Sequence, residues 1–425
     1  VLIPTWMELI HILTNSFRRA NIGAIHDGEG DQRAETTMQH WKAICHACRH
    51  AIAAFLLMAP ASASEDTTVP AETLTRSKPG TIFRVWPMEG GVKPGIKGYR
   101  VLYRSTNYDG RPVAVTGALM FPDAKADGPR PVVAWAHPTT GVVSACAPTL
   151  LPNQSQVVMG IDEITDKGWV IAATDYIGLG TKDPHPYLIG VAEANAVIDI
   201  VRAAHQLSDI QASKKFAVWG HSQGGHAALY TGIHAKTYAP ELDLVGVAAA
   251  APASELAELF KADQNTASGR SLSAMTVLAW SRLFGWPLAD LVEPGAMGPF
   301  KRLASDCIED LPQFLQEDDD EQRLPRTFLK IDPLTDPKFT PIIAGNTPGP
   351  LPSGMPVFIA QGEADTTVRP EITKEYVRQL CQAGTHVRFK LMPGVSHVTV
   401  ALDSAYDAVE WMADRFAGRA APNQC

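Results

Sequence analysis

The chain has 425 residues, 45% of them hydrophobic and 19% charged, with a net charge of -8. This composition supplies a sizeable buried core and excludes a disordered chain. The acidic balance, without an Arg/Lys cluster, excludes a surface built to neutralise the phosphates of a nucleic acid.

Residues 38–63, "MQHWKAICHACRHAIAAFLLMAPASA", combine Lys42 and Arg49 with an apolar run from Ala51 to Pro60 and a small-residue site at Ala61-Ser62-Ala63. That is the pattern of an export signal. The run is too short for a stable membrane span, which takes about 20 residues. Residues 1–37 are then expected to be an over-extended N-terminus, the mature chain to begin near Ser64 or Glu65, and the protein to be secreted or periplasmic. Cys45 and Cys48 fall in the signal, which leaves Cys146, Cys307, Cys381 and Cys425. An even number in an exported chain favours two disulfides, and four cysteines permit three pairings. The preferred one is Cys146 with Cys307 and Cys381 with Cys425. The first would tie residues 254–354 to the loop after "AHPTTG", and the second would fasten Cys425 to a core helix.

Strand-like and helix-like segments alternate from there on. "GYRVLYRS" and "PVAVTGALMFP" read as strands, and "RPVVAWAH" and "GWVIAATDY" are the continuous apolar runs of strands covered on both faces. "VAEANAVIDIVRAAHQL" has helical spacing. The series continues with strand "KKFAVWG", helix "GGHAALYTGIHA" and strand "DLVGVAAAAP". It resumes with strand "MPVFIAQGEAD", helix "EITKEYVRQLCQAG", strand "HVRFKLMPG" and helix "DSAYDAVEWMADRFAG". Such repetition implies a mostly parallel, doubly wound α/β sheet. Residues 64–253 and 355–425 form its core. Residues 254–354 have no β-rich run and are too long for a loop; "MTVLAWSRLFGWPLADLV" predicts a helical insertion, closed by the Pro-rich "NTPGPLPSGMP". Glu317 to Glu321, "EDDDE", reads as a solvated charge run.

Chemistry concentrates at "AVWGHSQGGHAAL". Ser222 lies between a buried-strand pattern and a helix of small residues, with Gly220, Gly224 and Gly225 around it. A strand–turn–helix of this kind exposes a serine hydroxyl above the sheet edge. The hydroxyl needs a base, and the base needs an acid to hold it in one tautomer. His397 in "MPGVSHVTV" follows the final predicted strand and is the expected base. His386 starts that strand, at its wrong end, and His221 and His226 are too near Ser222 in sequence. Asp365, in the turn after "FIAQGEAD", is the expected acid, with Glu363 its rival. Gln223 and Thr139 of "AHPTTG" are the expected backbone donors to an oxyanion, since Pro138 has no N–H. Asp175 of "DYIGLG" has no catalytic reading and is expected to buttress the loops.

"AHPTTG", "DYIGLGTKDPHPYL", "GHSQGG", "GEADTTV" and "GVSH" together resemble the secretory lipase family of fungal lipase A enzymes and bacterial esterase relatives, over most of the mature chain. The resemblance implies an α/β-hydrolase fold with a helical cap, a Ser222–Asp365–His397 triad and carboxylic esters as substrates. The chain departs in having Pro138 where many relatives have Gly. The expected protein is a serine ester hydrolase, a monomer acting on a small-molecule or lipid ester without metal or cofactor. Trp280, Phe284 and Trp286 of the insertion are expected to line its acyl site. The alternatives are a serine peptidase or amidase on the same scaffold, or a catalytically dead binding protein.

Overall fold

The computed structural model describes residues 66–88, 93–151, 158–263, 266–308 and 324–425. The expected signal segment, residues 1–37 before it and the acidic run at Glu317 to Glu321 lie outside the described residues.

Nine strands form one sheet: β1 Ile82–Pro87, β2 Ile96–Thr106, β3 Pro112–Pro122, β4 Arg130–Ala136, β5 Val170–Thr174, β6 Ala212–His221, β7 Asp243–Ala250, β8 Val357–Gly362 and β9 Val387–Met392. Their order is β1-β2-β3-β5-β4-β6-β7-β8-β9. The pairs from β1 through β3 to β5 are antiparallel, and those from β5 through β4 to β9 are parallel. The central strands are deeply covered: every residue of β5 and β8 is buried, and all but one of β4. Helices lie on both faces, as parallel strands require. The one strand that the sequence pattern did not reveal is β1, a half-exposed edge strand carrying Arg84 and ending at Pro87.

The core helices are α1 Ala71–Arg76, α2 Ile161–Asp166, α3 Gly190–Ala204 and α4 Gln223–Tyr238. Between β7 and β8 come α5 Leu256–Asp263, α6 Ala267–Phe284, α7 Leu288–Leu291, α8 Met297–Leu303 and α9 Thr340–Gly345. After β8 follow α10 Pro370–Gln382 and α11 Val400–Phe416. The apolar stretch expected to be helical from Met275 to Val292 is broken. Helix α6 stops at Phe284, where Gly285 takes φ +70° and returns its N–H to the Ser281 carbonyl, a common way to end a helix. Pro287 then opens the short α7, and Val292 forms a β-bridge with Leu329. Two disulfides are formed, Cys146–Cys307 and Cys381–Cys425. Among the described residues no helix is long and apolar enough to cross a membrane.

Register brings the carboxyl ends of the central strands level. Ala136 of β4 faces Gly220 of β6, His221 faces Ala250 of β7, and Ala250 faces Ala360 of β8. Ligand sites in open α/β sheets form at this edge.

Candidate active site

Ser222 sits between β6 and α4 at φ +56° and ψ -116°. A non-glycine residue there is strained, and it persists only where its surroundings over-determine it. Here the backbone is held at both ends. Ser222 N–H donates to the Ala250 carbonyl at 3.0 Å, and the Ser222 carbonyl accepts from His226 N–H at 3.0 Å and Ala253 N–H at 3.2 Å. The turn is too tight for side chains on its flanks. A Cβ at Gly220 would lie 2.0 Å from the Gly224 carbonyl oxygen, and one at Gly224 would lie 1.9 Å from that of Ala136.

His397 lies in the loop between β9 and α11, and its Nε2 is 3.0 Å from Ser222 Oγ. Its Nδ1 is 2.8 Å from Asp365 Oδ2. A carboxylate oxygen only accepts, so Nδ1 carries the hydrogen and Nε2 presents its lone pair to the serine hydroxyl. The Asp365 side chain is fully buried. Its Oδ1 accepts from Thr367 N–H at 2.9 Å and Val368 N–H at 2.8 Å, and Oδ2 also accepts from Gln361 Nε2 at 3.1 Å. Gln361 is tied in turn to the Val368 carbonyl and to the Thr373 hydroxyl. The rival carboxylate, Glu363, is exposed.

His221, His137, His226 and His386 do other things. His221 donates from Nε2 to the His397 carbonyl at 2.9 Å, ring against ring at 4.9 Å. Burial pushes its pKa well below the usual histidine value, helped by the nearby His397, so it holds the His397 loop as a neutral ring. Burial likewise pushes His137 down to about 4, and its Nδ1 donates to the Pro138 carbonyl. His226 turns away from Ser222 towards Glu193. His386 lies at the start of β9, where its carbonyl accepts from Val357 N–H.

Gln223 is the first residue of α4, with its backbone N–H at the helix N-terminus beside Ser222. The "AHPTTG" segment packs against the same turn, since Gly224 is in close approach to the Ala136 and His137 carbonyls. Within it the Thr139 hydroxyl is 2.7 Å from that of Tyr187. Thr140 donates from its hydroxyl to the Cys146 carbonyl and accepts at its own carbonyl from Ile308 N–H. This contact and the Cys146–Cys307 bond join the insertion to the segment. Asp175 is buried and accepts from the Thr149 N–H and hydroxyl, which is the buttress expected of it.

A narrow cleft, open to solvent, reaches Ser222 and Gln223. Its apolar wall is Leu188, Leu256, Leu259, Phe260, Leu272 and Val368, with the hydroxyls of Ser273, Thr276 and Thr367. Trp280, Phe284 and Trp286, expected in this wall, are not brought to it. Trp280 is fully buried, donates from its indole N–H to the Tyr187 carbonyl at 2.8 Å, and packs on Phe260 and Phe339. Phe284 stacks on Trp286, which packs on Phe339. The helix break at Gly285 is what lets Trp286 fold back into this cluster, so the three aromatics pack with Phe339 within the insertion and reach Tyr187 and Tyr108 of the sheet domain.

Sequence reasoning also missed Glu193, His185 and Gln361. The signal for Glu193 was present: α3 is apolar almost all round and still carries Glu193, Asn195 and Asp199, all buried. A charged residue in such a helix must have an internal partner.

The sheet order, the strand–elbow–helix unit and the histidine loop after the last strand are those of the α/β-hydrolase fold. The chain belongs to the secretory lipase family, whose model matches residues 150–424. It is 25% identical to a probable inactive lipase of Mycobacterium tuberculosis, over 80% of this chain and 79% of that protein. It is 24% identical to lipase 5 of Candida albicans, over 77% and 73%. Among solved structures it is similar to Candida antarctica lipase A in its closed state, with a TM-score of 0.69 and 18% identity over 85% of this chain and 88% of that one.

Proposed function

We propose that this protein is an exported serine ester hydrolase that works through an acyl-enzyme on Ser222. The observation that carries the reading is the unbroken hydrogen-bonded series from Asp365 through His397 to the Ser222 hydroxyl. His397 Nε2 takes the serine proton as Oγ attacks the ester carbonyl, and returns it to the departing alcohol. Water then enters by the same route and releases the acid. Asp365 orients the ring through its hydrogen bond to Nδ1. The tetrahedral oxyanion is received by the N–H of Gln223 and, from the facing loop, that of Thr139.

The apolar cleft is the acyl site. Each buried CH₂ contributes about 0.8 kcal/mol, so esters of about four to ten carbons are expected to exceed acetate, with weaker activity on long-chain triglyceride. Two disulfides and the signal-like segment at residues 38–63 support export.

The test is a panel of p-nitrophenyl esters beside peptide anilides, run on wild type and Ser222→Ala, with an organophosphonate to label the nucleophile. Ester turnover lost in Ser222→Ala, at unchanged melting temperature, and label on Ser222 are expected. Turnover that survives the substitution overturns the mechanism, and faster anilide cleavage overturns the substrate class. One matched relative is named as probably inactive, which favours a second reading, binding without turnover. A wild type that takes no organophosphonate and hydrolyses no ester would establish it.

A further inference from the structure

Packed against the first turn of α4 lies a buried acid–histidine pair that the mechanism above does not use. Glu193 stands in the first turn of α3 with its side chain fully enclosed. Its Oε1 accepts from Gln223 Nε2 at 2.9 Å and from Leu188 N–H at 3.0 Å. Its Oε2 is 2.7 Å from His226 Nδ1. One carboxyl group therefore grips the first turn of α4 at two residues and the cleft wall at a third. Leu188 has φ +56°, a left-handed conformation that a leucine keeps only when it is held. The side chain of Gln223 is fixed a second time, by His185. That ring donates from Nδ1 to the Ile177 carbonyl at 2.7 Å, so its Nε2 is free to accept from Gln223 Nε2 at 3.3 Å.

The hydrogen count is set by the partners. His226 Nε2 is 2.8 Å from the Asn346 carbonyl, which only accepts, so that nitrogen carries a hydrogen. The contact between Nδ1 and Oε2 requires one more, shared between them. Whichever atom holds it, the pair as a whole carries no net charge, which is what allows a carboxyl group to be fully enclosed here. Asn346 belongs to the returning end of the insertion, and its side-chain oxygen accepts from Gly190 N–H at 3.0 Å. Insertion, α3 and α4 thus meet at this one pair.

We propose that Glu193, with His226 as its proton-sharing partner, is a positioning residue for the oxyanion donor. It fixes where the Gln223 N–H points by tethering the first turn of α4, and it holds Leu188 in the acyl wall. This rests on the reading of Ser222 given above. Losing one oxyanion donor costs about 10²–10³ in kcat, and misplacing a reacting group by about 1 Å costs a comparable factor.

The experiment uses the full chain, with kcat expressed per active site titrated by organophosphonate and p-nitrophenyl butyrate as substrate. Glu193→Ala is expected to lower kcat about 10–100-fold while KM stays within about threefold, because the donor acts on the oxyanion more than on the bound ester. Glu193→Gln is expected to recover most of that loss. Its carbonyl oxygen can keep both N–H partners, and its amide can donate to Nδ1 of a neutral His226. Should Glu193→Ala not fold, Gln223→Ala carries the same test, since it removes the tether and keeps the N–H; the same fall in kcat at held KM is expected. Folded Glu193→Ala or Gln223→Ala with kcat within about twofold of wild type would overturn the proposal. So would a Glu193→Gln enzyme that melts like wild type and is as slow as the alanine variant. None of these outcomes touches the parent reading, which stands or falls with Ser222→Ala.

Discussion

Asp365 accepts four hydrogen bonds, from Thr367 N–H, Val368 N–H, Gln361 Nε2 and His397 Nδ1. An amide at this position would turn its NH₂ towards groups that are all donors. Asp365→Asn is therefore expected to leave the fold intact, hold His397 in the wrong tautomer and lower kcat about 10³–10⁴-fold. A loss of less than tenfold on a short ester, per titrated site, would show that Asp365 does not orient the base. Asp199 makes a separate prediction. It is buried beside Arg202, Ser105 and Tyr238, and burial, outweighing those partners, pushes its pKa up to about 6. A carboxyl group whose pKa is raised on folding lends stability at low pH and loses it as pH rises through the folded value. Relative to Asp199→Asn, wild type should thus be about 1–2 kcal/mol more stable at pH 5 than at pH 7. Denaturant melts of both proteins at the two pH values measure this; a difference that does not change with pH would reject it.

At the scale of elements, the elbow depends on two backbones in near contact. A methyl group at Gly224 would have to displace the Ala136 carbonyl at the end of β4, and the His137 carbonyl is only 2.7 Å from the same point. Gly224→Ala is expected to give insoluble protein or to lower activity more than 100-fold; near-normal activity would contradict the packing described. The insertion divides into a cleft wall and an aromatic cluster that packs around Phe339. Phe260→Ala or Leu272→Ala is expected to change the acyl-length profile, because both side chains line the cleft. Phe284→Ala and Trp286→Ala should leave that profile as it is and lower the melting temperature, since their contacts are with each other, Phe339 and Tyr108. Measuring kcat/KM across an acyl series for the four variants decides it. A shifted profile in Trp286→Ala would place the acyl chain elsewhere.

For the whole molecule, the two disulfides close loops of different size, with sequence separations of 161 and 44. If loop closure dominates, removing Cys146–Cys307 costs about 1 kcal/mol more than removing Cys381–Cys425. The two bonds also serve different parts. Cys307 reaches back to the segment beside the elbow, so replacing both Cys146 and Cys307 by alanine should lower kcat as well as stability. The Cys381–Cys425 bond lies on the far helix α10, and its loss should lower stability alone. Chemical denaturation and site-titrated kinetics of the two double variants separate these cases, and equal effects on kcat would refute the distinction.

The strands other than the half-exposed edge strand β1, the elbow and the order Ser222, Asp365, His397 could be read in the sequence because each rests on local physics. Continuous apolar runs mark strands covered on both faces, and glycines mark a turn whose flanks have no room for Cβ atoms. The loops that leave the carboxyl ends of parallel strands start at the sheet edge, which put Asp365 and His397, in the loops after β8 and β9, within reach of Ser222 although they are 143 and 175 positions away in the chain. Where tertiary structure decided, the reason was that packing acts across elements. Apolar periodicity says that Trp280, Phe284 and Trp286 must be covered, not by what. Only the fold showed that Phe339 and Tyr187 meet them, leaving the cleft to Leu256, Phe260 and Leu272. In the same way a buried Glu193 demands a partner, and its choice of His226 and Gln223 depends on how α3 lies against α4. Local pattern determines which groups need burial or a partner; the three-dimensional arrangement determines which group answers.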